Sequence, residues 1–285
     1  MPKTYNELYI ALRQRLRDAG IEAYALEARL LLAHAAGKTQ EKLLADLRLY
    51  ASDAVEECVS ELAERRLTGE PAAYLTGRWS FYGLELRVAP GVLIPRSDTE
   101  VLVETALELL RGSTQAPRIL DLCAGTGCIG CAVAHALPDS RVVLADNSAA
   151  AIAIARENSS LCALEERVAC MEMDVREVPQ VLLGSFDMIV SNPPYIAHAE
   201  LETLDPSVRD YEPHEALDGG EDGLDFYRVI LKNWKPMLRR PGWMVFEVGE
   251  TQAEDVKMLM LKAGLHSIGM AKDTAGYDRV VYGRL

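Results

Sequence analysis

Four consecutive residues, Asn192-Pro193-Pro194-Tyr195, follow the run Phe186–Val190 and Ser191. Two adjacent prolines lack backbone donors and fix φ near about −65°. Each also pushes the residue before it out of the α region. A strand therefore ends here, and a carboxamide and a phenol are held on a stiff, extended link. The pattern has two readings: a strand-to-loop stop, or the rigid presentation of Asn192 and Tyr195 to a ligand.

A second constellation lies upstream in RILDLCAGTGCIG, 118–130. Gly125, Gly127 and Gly130 spell G-x-G-x-x-G between a predicted strand and a predicted helix. Such a turn brings a ligand close to backbone at a helix N-terminus. The next predicted strand, RVVLAD, ends in Asp146, where an acid can hold a ribose diol. Those features fit a nicotinamide dinucleotide enzyme, and equally a tight turn whose glycines serve packing alone. Asp121 argues for a third ligand. A carboxylate just before the glycines would oppose the phosphates of a dinucleotide and suits a cation. S-adenosylmethionine (AdoMet) carries an ammonium and a sulfonium and no phosphate. Asp174, closing CMEMDV, is expected on the same edge near the adenine, or as a solvated turn carboxylate. Cys123, Cys128 and Cys131 match the first part of a plant-type iron–sulfur spacing. They fall where a tight turn and its helix want small residues, so no metal is expected.

These groups need a scaffold. From Arg118 onward strands are expected at 118–122, 141–145, 167–172, 186–190, 242–248, 265–271 and 279–284. Helices are expected at 128–136, 148–159, 223–238 and 252–263. Such alternation predicts an α/β fold with a seven-stranded, mostly parallel sheet covered on both faces. No helix separates the last two strands, so they should pair antiparallel. Residues 4–69 read as a helical bundle, with Thr4, Thr39 and Ser52 as caps and Gly20, Gly37 and Gly69 as stops. Pro71 breaks that pattern. Residues 77–95 read as a β-hairpin turning at Tyr82-Gly83 and bridging two domains. S-D-T-E at 97–100 reads as a capping box opening a helix to about Arg111.

Composition narrows the classes. The 285 residues hold 30 Lys and Arg against 43 Asp and Glu, a net charge of −13. That balance disfavours stable binding to nucleic acid, which needs a basic surface. No apolar stretch approaches the roughly 18 residues of a membrane span. The start, MPKTYNELYIALRQRL, lacks an apolar signal core. Six cysteines in a chain of this size are expected as reduced thiols, which points to the cytoplasm.

DLCAGTG, then Ala145-Asp146, then NPPY, in that order, resemble a class I AdoMet-dependent methyltransferase. NPPY resembles the subset that methylates a planar nitrogen. IPRSDTE (94–100), DPSVRDYEPHEALDGGEDGLDFY (205–227), EVGETQ (247–252) and DTAGYDR (273–279) narrow the resemblance. With the helical N-terminal part, the chain resembles the release factor glutamine methyltransferases, the HemK/PrmC family, over essentially its whole length.

The resemblance implies a class I (Rossmann-like) methyltransferase domain at 97–285. It adds a β-hairpin hinge at 76–96 and a helical substrate-recognition domain at 1–75. It implies AdoMet as methyl donor and S-adenosyl-L-homocysteine as product. The implied partner is a bacterial class I peptide-chain release factor, methylated on the glutamine of its Gly-Gly-Gln motif by a monomeric enzyme. Cofactor contacts carry over to Asp121, Cys123, Ala124, Gly125, Thr126, Gly127, Asp146, Asp174, Val175 and Asn192. Asn192, Pro193 and Tyr195 carry over as catalytic, and with Pro194 they form the substrate site. The Asn192 side-chain oxygen and the Pro193 carbonyl would each accept one N–H of the substrate amide, while Tyr195 packs on its plane.

Two positions depart from the family: Cys123 stands where it has glycine, and Val175 where it often has an aromatic residue. An amino-methyltransferase acting on adenine or cytosine shares the cofactor loop and NPPY. A non-catalytic AdoMet-binding protein would share the loop. Finally, residues 196–225 hold ten carboxylates and one base, Arg209. Such a stretch is either a solvated loop or an acidic rim that attracts a basic protein substrate.

Overall fold

The computed structural model describes residues 2–112 and 116–285. The chain divides into two units: residues up to Arg78 with Pro206–Tyr211, and Trp79–Asp205 with Glu212–Leu285.

The first unit is helical: α1 (Tyr5–Asp18), α2 (Tyr24–Ala35), α3 (Gln40–Ala45), α4 (Asp53–Leu67), α5 (Ala72–Thr76) and the one-turn α9 (Pro206–Arg209). Thr4, Thr39 and Ser52 cap their helices as their side chains predict, and Thr4 completes a capping box with Glu7. Leu8, Leu12 and Leu16 fall on one stripe of α1 and are buried with Leu31 and Leu32 of α2 and Leu62 of α4. Pro71 does not end the helical region. It sits at the N-cap of α5, where a proline's missing N–H costs nothing. The Tyr211 hydroxyl donates to the Thr68 carbonyl at 3.0 Å.

The second unit carries the hairpin β1 (Arg78–Phe81) and β2 (Leu84–Arg87). Tyr82 and Gly83 both have positive φ, 49° and 76°, as a two-residue turn between twisted strands requires. Strand pairing stops at Arg87, short of the expected 95. Asn158 holds that end: its Oδ1 accepts the Arg87 N–H at 2.6 Å, and its Nδ2 donates to the carbonyls of Arg87 and Thr126. The capping box expected at Ser97 does not form. Residues 97–99 make a 3-10 turn ahead of α6 (Glu100–Leu110). The Glu100 carboxylate accepts instead from the Tyr82 N–H at 2.7 Å.

The sheet contains β3 (Arg118–Leu122), β4 (Arg141–Asp146), β5 (Val168–Glu172), β6 (Phe186–Ser191), β7 (Leu238–Glu247), β8 (His266–Lys272) and β9 (Asp278–Arg284). Its order is β5-β4-β3-β6-β7-β9-β8. The first five strands in that order run parallel, and β9 is antiparallel to both neighbours. This is the class I Rossmann-like methyltransferase sheet expected from the sequence. Helices α7 (Cys128–Ala136), α8 (Ala149–Leu161), α10 (Asp225–Asn233) and α11 (Ala253–Lys262) complete the unit. One face of the sheet buries Leu102, Val103, Ile129 and Val133; the other buries Tyr227, Ile230, Trp234 and Met260. Helix α10 is shorter than the expected 223–238. Pro236 cannot continue it, so a 3-10 turn follows and β7 begins at Leu238.

Strand order reverses at β3, which has β4 on one side and β6 on the other. Ligands bind at such a switch point, outside the carboxyl ends of the strands. Leu122 and Ser191 are register partners at those ends, and the Ser191 hydroxyl donates to the Leu122 carbonyl at 2.7 Å. The glycine loop and NPPY thus leave the sheet side by side.

Candidate active site

The glycine loop is shaped by close packing. Gly127 opens α7 with φ 76°, and a Cβ there would stand 2.6 Å from Leu144 Cδ1. A Cβ on Gly130 would stand 2.9 Å from Val142 Cγ1. These two glycines let α7 settle on β4, whereas Gly125 has open space around it. The Asp146 Oδ2 accepts the Gly125 N–H at 2.8 Å, and its Oδ1 accepts the Ser148 N–H at 2.9 Å. Burial raises the Asp146 pKa, those two N–H groups opposing it. A carboxylate has about four lone-pair sites, so Asp146 keeps acceptors for a diol. Cys123 holds φ 56°, a left-handed conformation that suits the glycine found there in the resembling family. Burial pushes its thiol pKa up, so it stays protonated near neutrality.

NPPY is braced from behind by the 205–227 segment. Ile196 donates to the Leu217 carbonyl at 3.0 Å and accepts from the Gly219 N–H at 2.8 Å. His198 donates to the Gly220 carbonyl at 2.9 Å. A Cβ on Gly219 would lie 2.7 Å from Tyr195 Cα. Gln252 closes the other side: its Nε2 donates to the Tyr195 carbonyl at 2.8 Å and to the Gly223 carbonyl at 3.3 Å, while its Oε1 accepts the Gly249 N–H. The remaining motifs are explained in the same way. Glu212, buried, accepts the Ile94 N–H at 3.0 Å and pairs with Arg96. Arg279 pairs with Asp273 at 3.1 Å and donates to the Val248 carbonyl.

A cavity of about 430 Å3 opens at the switch point. Cys123, Ala124, Gly125 and Thr126 line it from the glycine loop. Asp146, Asp174 and Val175 follow from the ends of β4 and β5, and Asn192 and Pro194 from the end of β6. Asp174 lines the cavity and also turns its own loop, Oδ1 accepting the Arg176 N–H at 2.8 Å. Val175 is buried, and its carbonyl accepts from Trp234 Nε1 at 2.8 Å. Asn192 donates from Nδ2 to Thr99 Oγ1 at 3.4 Å.

Four sequence candidates lie off the cavity lining: Asp121, Gly127, Pro193 and Tyr195. The carboxylate of Asp121 does not face a cationic ligand as expected. It is fully buried, with Oδ2 accepting the Gly130 N–H at 2.9 Å and Oδ1 without a partner. Burial pushes its pKa up to about 8, the Gly130 N–H opposing and Asp146 adding to the shift. Tyr195 packs toward the core beside Tyr227, and burial raises its hydroxyl pKa. Sequence reasoning left unassigned Thr99, Glu247, Gln252 and the Arg96–Glu212 pair. Their signal was there, in the motifs IPRSDTE, EVGETQ and YEP. Asn158 had none.

Asp121 and Glu247 both hold raised pKa values; burial carries Glu247 to about 7, with Thr99, Arg279 and Asn192 opposing and Asp98 adding. Both groups bind a proton more tightly folded than unfolded. Their contribution to stability is full below the ordinary carboxylate range and is lost as pH rises through about 7–8. The urea midpoint is therefore expected to fall between about pH 5 and about pH 9, and Asp121→Asn to flatten that slope. Equilibrium unfolding of both proteins across that range checks it.

The acidic stretch is less free than its composition implied. Glu212 pairs with Arg96, Asp222 and Asp225 with Arg228, and Asp218 with His198. Glu215 and Asp218 reach the cavity. With Asp146 and Asp174 they make four carboxylates in its lining, against Arg96 and Arg176. A pyrophosphate would meet a net acidic wall. A cationic, diol-bearing ligand without phosphate fits, and the cavity volume lies in the usual range of about 300–1,000 Å3. The fit to AdoMet thus stands on Asp146, the open space at Gly125 and the acidic lining, while Asp121 lies off that lining. Among the described residues no group of three His, Cys, Asp or Glu could hold a metal, and all six cysteines are free.

The sheet order, the glycine loop and NPPY at one switch point define a class I AdoMet-dependent methyltransferase. Residues 7–77 match the PrmC N-terminal domain, and residues 97–206 the methyltransferase small domain. The chain is 42% identical over 275 residues to a release factor glutamine methyltransferase of Geobacter sulfurreducens, covering 96% of this chain and 94% of that protein. It is 39% identical over 279 residues to one of Bradyrhizobium diazoefficiens, covering 96% and 92%. A methyltransferase from Pyrococcus furiosus shares the fold, with a TM-score of 0.52 at 17% identity, over 79% of this chain and 98% of that one. The chain belongs to the release factor glutamine methyltransferase family.

Proposed function

We propose that the protein transfers a methyl group from AdoMet to the side-chain amide nitrogen of the Gly-Gly-Gln glutamine of class I peptide-chain release factors. S-adenosyl-L-homocysteine is the second product. The observation that carries this is the placement of the Asn192 carboxamide on the wall of the cavity that Gly125 and Asp146 line, with its nitrogen engaged by Thr99.

When bound, AdoMet supplies an electrophilic methyl group on a sulfonium. An amide nitrogen is a poor nucleophile because its lone pair is delocalised into the carbonyl. The protein's task is therefore placement. Asn192 Oδ1 accepts one N–H of the substrate amide and the Pro193 carbonyl accepts the other. The two prolines keep these acceptors fixed, so little freedom is lost on binding. Placement of this kind is worth effective molarities of about 10⁵–10⁸ M. Tyr195 acts through position, since burial keeps its hydroxyl protonated. Asp146 holds the ribose diol, and Cys123, Ala124 and Gly125 offer close backbone. Asp174 and Val175 border the adenine.

The helical unit and the hairpin serve substrate recognition in this reading, and the enzyme acts as a monomer in the cytoplasm. Free thiols support that compartment. No helix among the described residues is long and apolar enough to cross a membrane. Methylation of adenine or cytosine in nucleic acid is disfavoured by the net charge of −13 and by the acidic cavity lining. Peptide mapping by mass spectrometry after incubation with a release factor and AdoMet tests the proposal. One added methyl group on the Gly-Gly-Gln glutamine is expected; an unmodified glutamine beside methylated residues elsewhere would overturn it. The net acidic charge of residues 196–225 also predicts that kcat/KM for the protein substrate falls severalfold as salt rises. A flat profile would remove that electrostatic role.

A further inference from the structure

We propose that Gln252 is a positioning residue that fixes the direction of the Pro193 carbonyl by clamping the chain at Tyr195. The inference rests on the reading that the Asn192 oxygen and the Pro193 carbonyl hold the substrate amide, and it says what holds that pair.

The prolines supply only part of the rigidity. A proline ring fixes φ and leaves ψ free. The peptide planes between Asn192 and Tyr195 are themselves stiff. The ψ torsions of Pro193 and Pro194 and the φ of Tyr195 can still turn the Pro193 carbonyl. The segment therefore needs an anchor at each end. In front, Ser191 is in register with Leu122, and its hydroxyl donates to the Leu122 carbonyl at 2.7 Å. Behind, the Tyr195 carbonyl accepts from Gln252 Nε2 at 2.8 Å.

The Gln252 amide has one usable orientation. Its Oε1 accepts the Gly249 N–H at 3.0 Å, which leaves Nε2 to face two carbonyls, those of Tyr195 and of Gly223 at 3.3 Å. The flipped amide would set its N–H groups against the Gly249 N–H and its oxygen against both carbonyls. Tyr195 and Gly223 lie in separate segments, so the same NH2 also ties NPPY to the 205–227 stretch. Two glycines leave room for it. A Cβ on Gly249 would stand 3.0 Å from Gln252 Oε1 and 3.4 Å from Tyr195 Cδ2, and one on Gly223 would stand 2.5 Å from Gln252 Nε2.

The clamp sits on a fixed base. The Gln252 N–H donates to the Gly249 carbonyl at 3.0 Å, and its own carbonyl accepts the Val256 N–H of α11 at 3.0 Å. The start of this loop is tied to β9. The Val248 N–H donates to the Arg279 carbonyl at 2.9 Å, and the Val248 carbonyl accepts from Arg279 Nη1 at 3.3 Å. Gln252 lies off the cavity lining. Its route to the reacting atoms is thus the short proline link, and the cofactor contacts at Asp146 and the glycine loop are independent of it.

The test compares wild type, Gln252→Glu and Gln252→Met with a release factor as acceptor. The assays run at about pH 8, far above the ordinary glutamate pKa of about 4.3. Glutamate has the shape of glutamine. When ionised it keeps the Gly249 bond and turns an oxygen toward the Tyr195 carbonyl. Methionine spans a similar length and donates nothing. The expected result is a kcat loss on the order of a hundredfold in Gln252→Glu and a smaller loss in Gln252→Met. KM for the release factor and calorimetric affinity for S-adenosyl-L-homocysteine should change little in either. A side chain that merely filled space would be replaced by glutamate without loss. Wild-type kcat in Gln252→Glu, or a loss of S-adenosyl-L-homocysteine affinity as large as the loss of kcat, would overturn the proposal. If Gln252→Glu fails to fold, Gln252→Met decides: a loss confined to kcat is expected, and wild-type kcat there overturns the proposal. A wild-type enzyme inactive on the release factor would instead sink the reading of function on which the proposal rests.

Discussion

Asn192→Ala is expected to lower kcat by about 10²–10³-fold, the usual cost of removing one hydrogen-bonding group aimed at a reacting centre. AdoMet affinity should change little, because Asp146 and the backbone of the glycine loop are untouched. The reasoning is one of placement. The substrate nitrogen has no intrinsic reactivity to spare, and its proton can leave after methyl transfer, when the nitrogen is far more acidic. Tyr195 is held protonated by burial, and Asp121 is buried against α7. Catalysis then depends on holding the amide, and the Asn192 oxygen is half of that hold. Rapid-quench methyl transfer and equilibrium AdoMet binding, measured on the same preparation, check it. Near-wild-type turnover in the variant would remove the mechanism.

Gly223→Ala is expected to damage both fold and turnover. Gly223 holds φ 72°, which costs a side-chain-bearing residue about 1–2 kcal/mol. Its Cβ would also overlap the Tyr195 carbonyl oxygen and stand 2.5 Å from Gln252 Nε2. Overpacking of this kind costs about 1–3 kcal/mol, so the sum is about 2–5 kcal/mol of stability. The atoms displaced are those that brace NPPY. A shift of about 1 Å in a positioning group can cost about a hundredfold in rate. Loss of turnover should therefore persist at temperatures where the variant is still folded. Urea unfolding and turnover below the melting transition separate the two effects. A variant as stable and as active as wild type would show that the Gly223 contact does not brace NPPY.

The scaffold was legible because its signals are local. Strand-glycine-helix at 118–136, an acid closing the next strand and NPPY closing a fully buried one all announce themselves in consecutive residues. The helix caps at Thr4, Thr39 and Ser52 are local too, and they form as expected. Errors arose where a residue's partner is distant in sequence. Glu100 looked like a capping-box partner of Ser97, but the Tyr82 N–H, eighteen residues back, takes its carboxylate. Asp121 looked like a ligand group because it sits beside the glycines. Strand register instead turns it into the β3–α7 interface, where the Gly130 N–H meets it. The 205–227 signature was recognisable long before its purpose was. Its glycines matter because Tyr195 lies against them, a contact that no spacing rule contains. Glu247 and Gln252 likewise acquire meaning only when β7 is laid beside β6.

The central claim is that this cavity methylates one glutamine of one kind of protein. Labelled AdoMet should be supplied with three acceptors separately: a class I release factor, the same factor with its Gly-Gly-Gln glutamine replaced by alanine, and duplex DNA. Label on the intact factor alone is the predicted result. Label on DNA, or equal label on both forms of the factor, would contradict it.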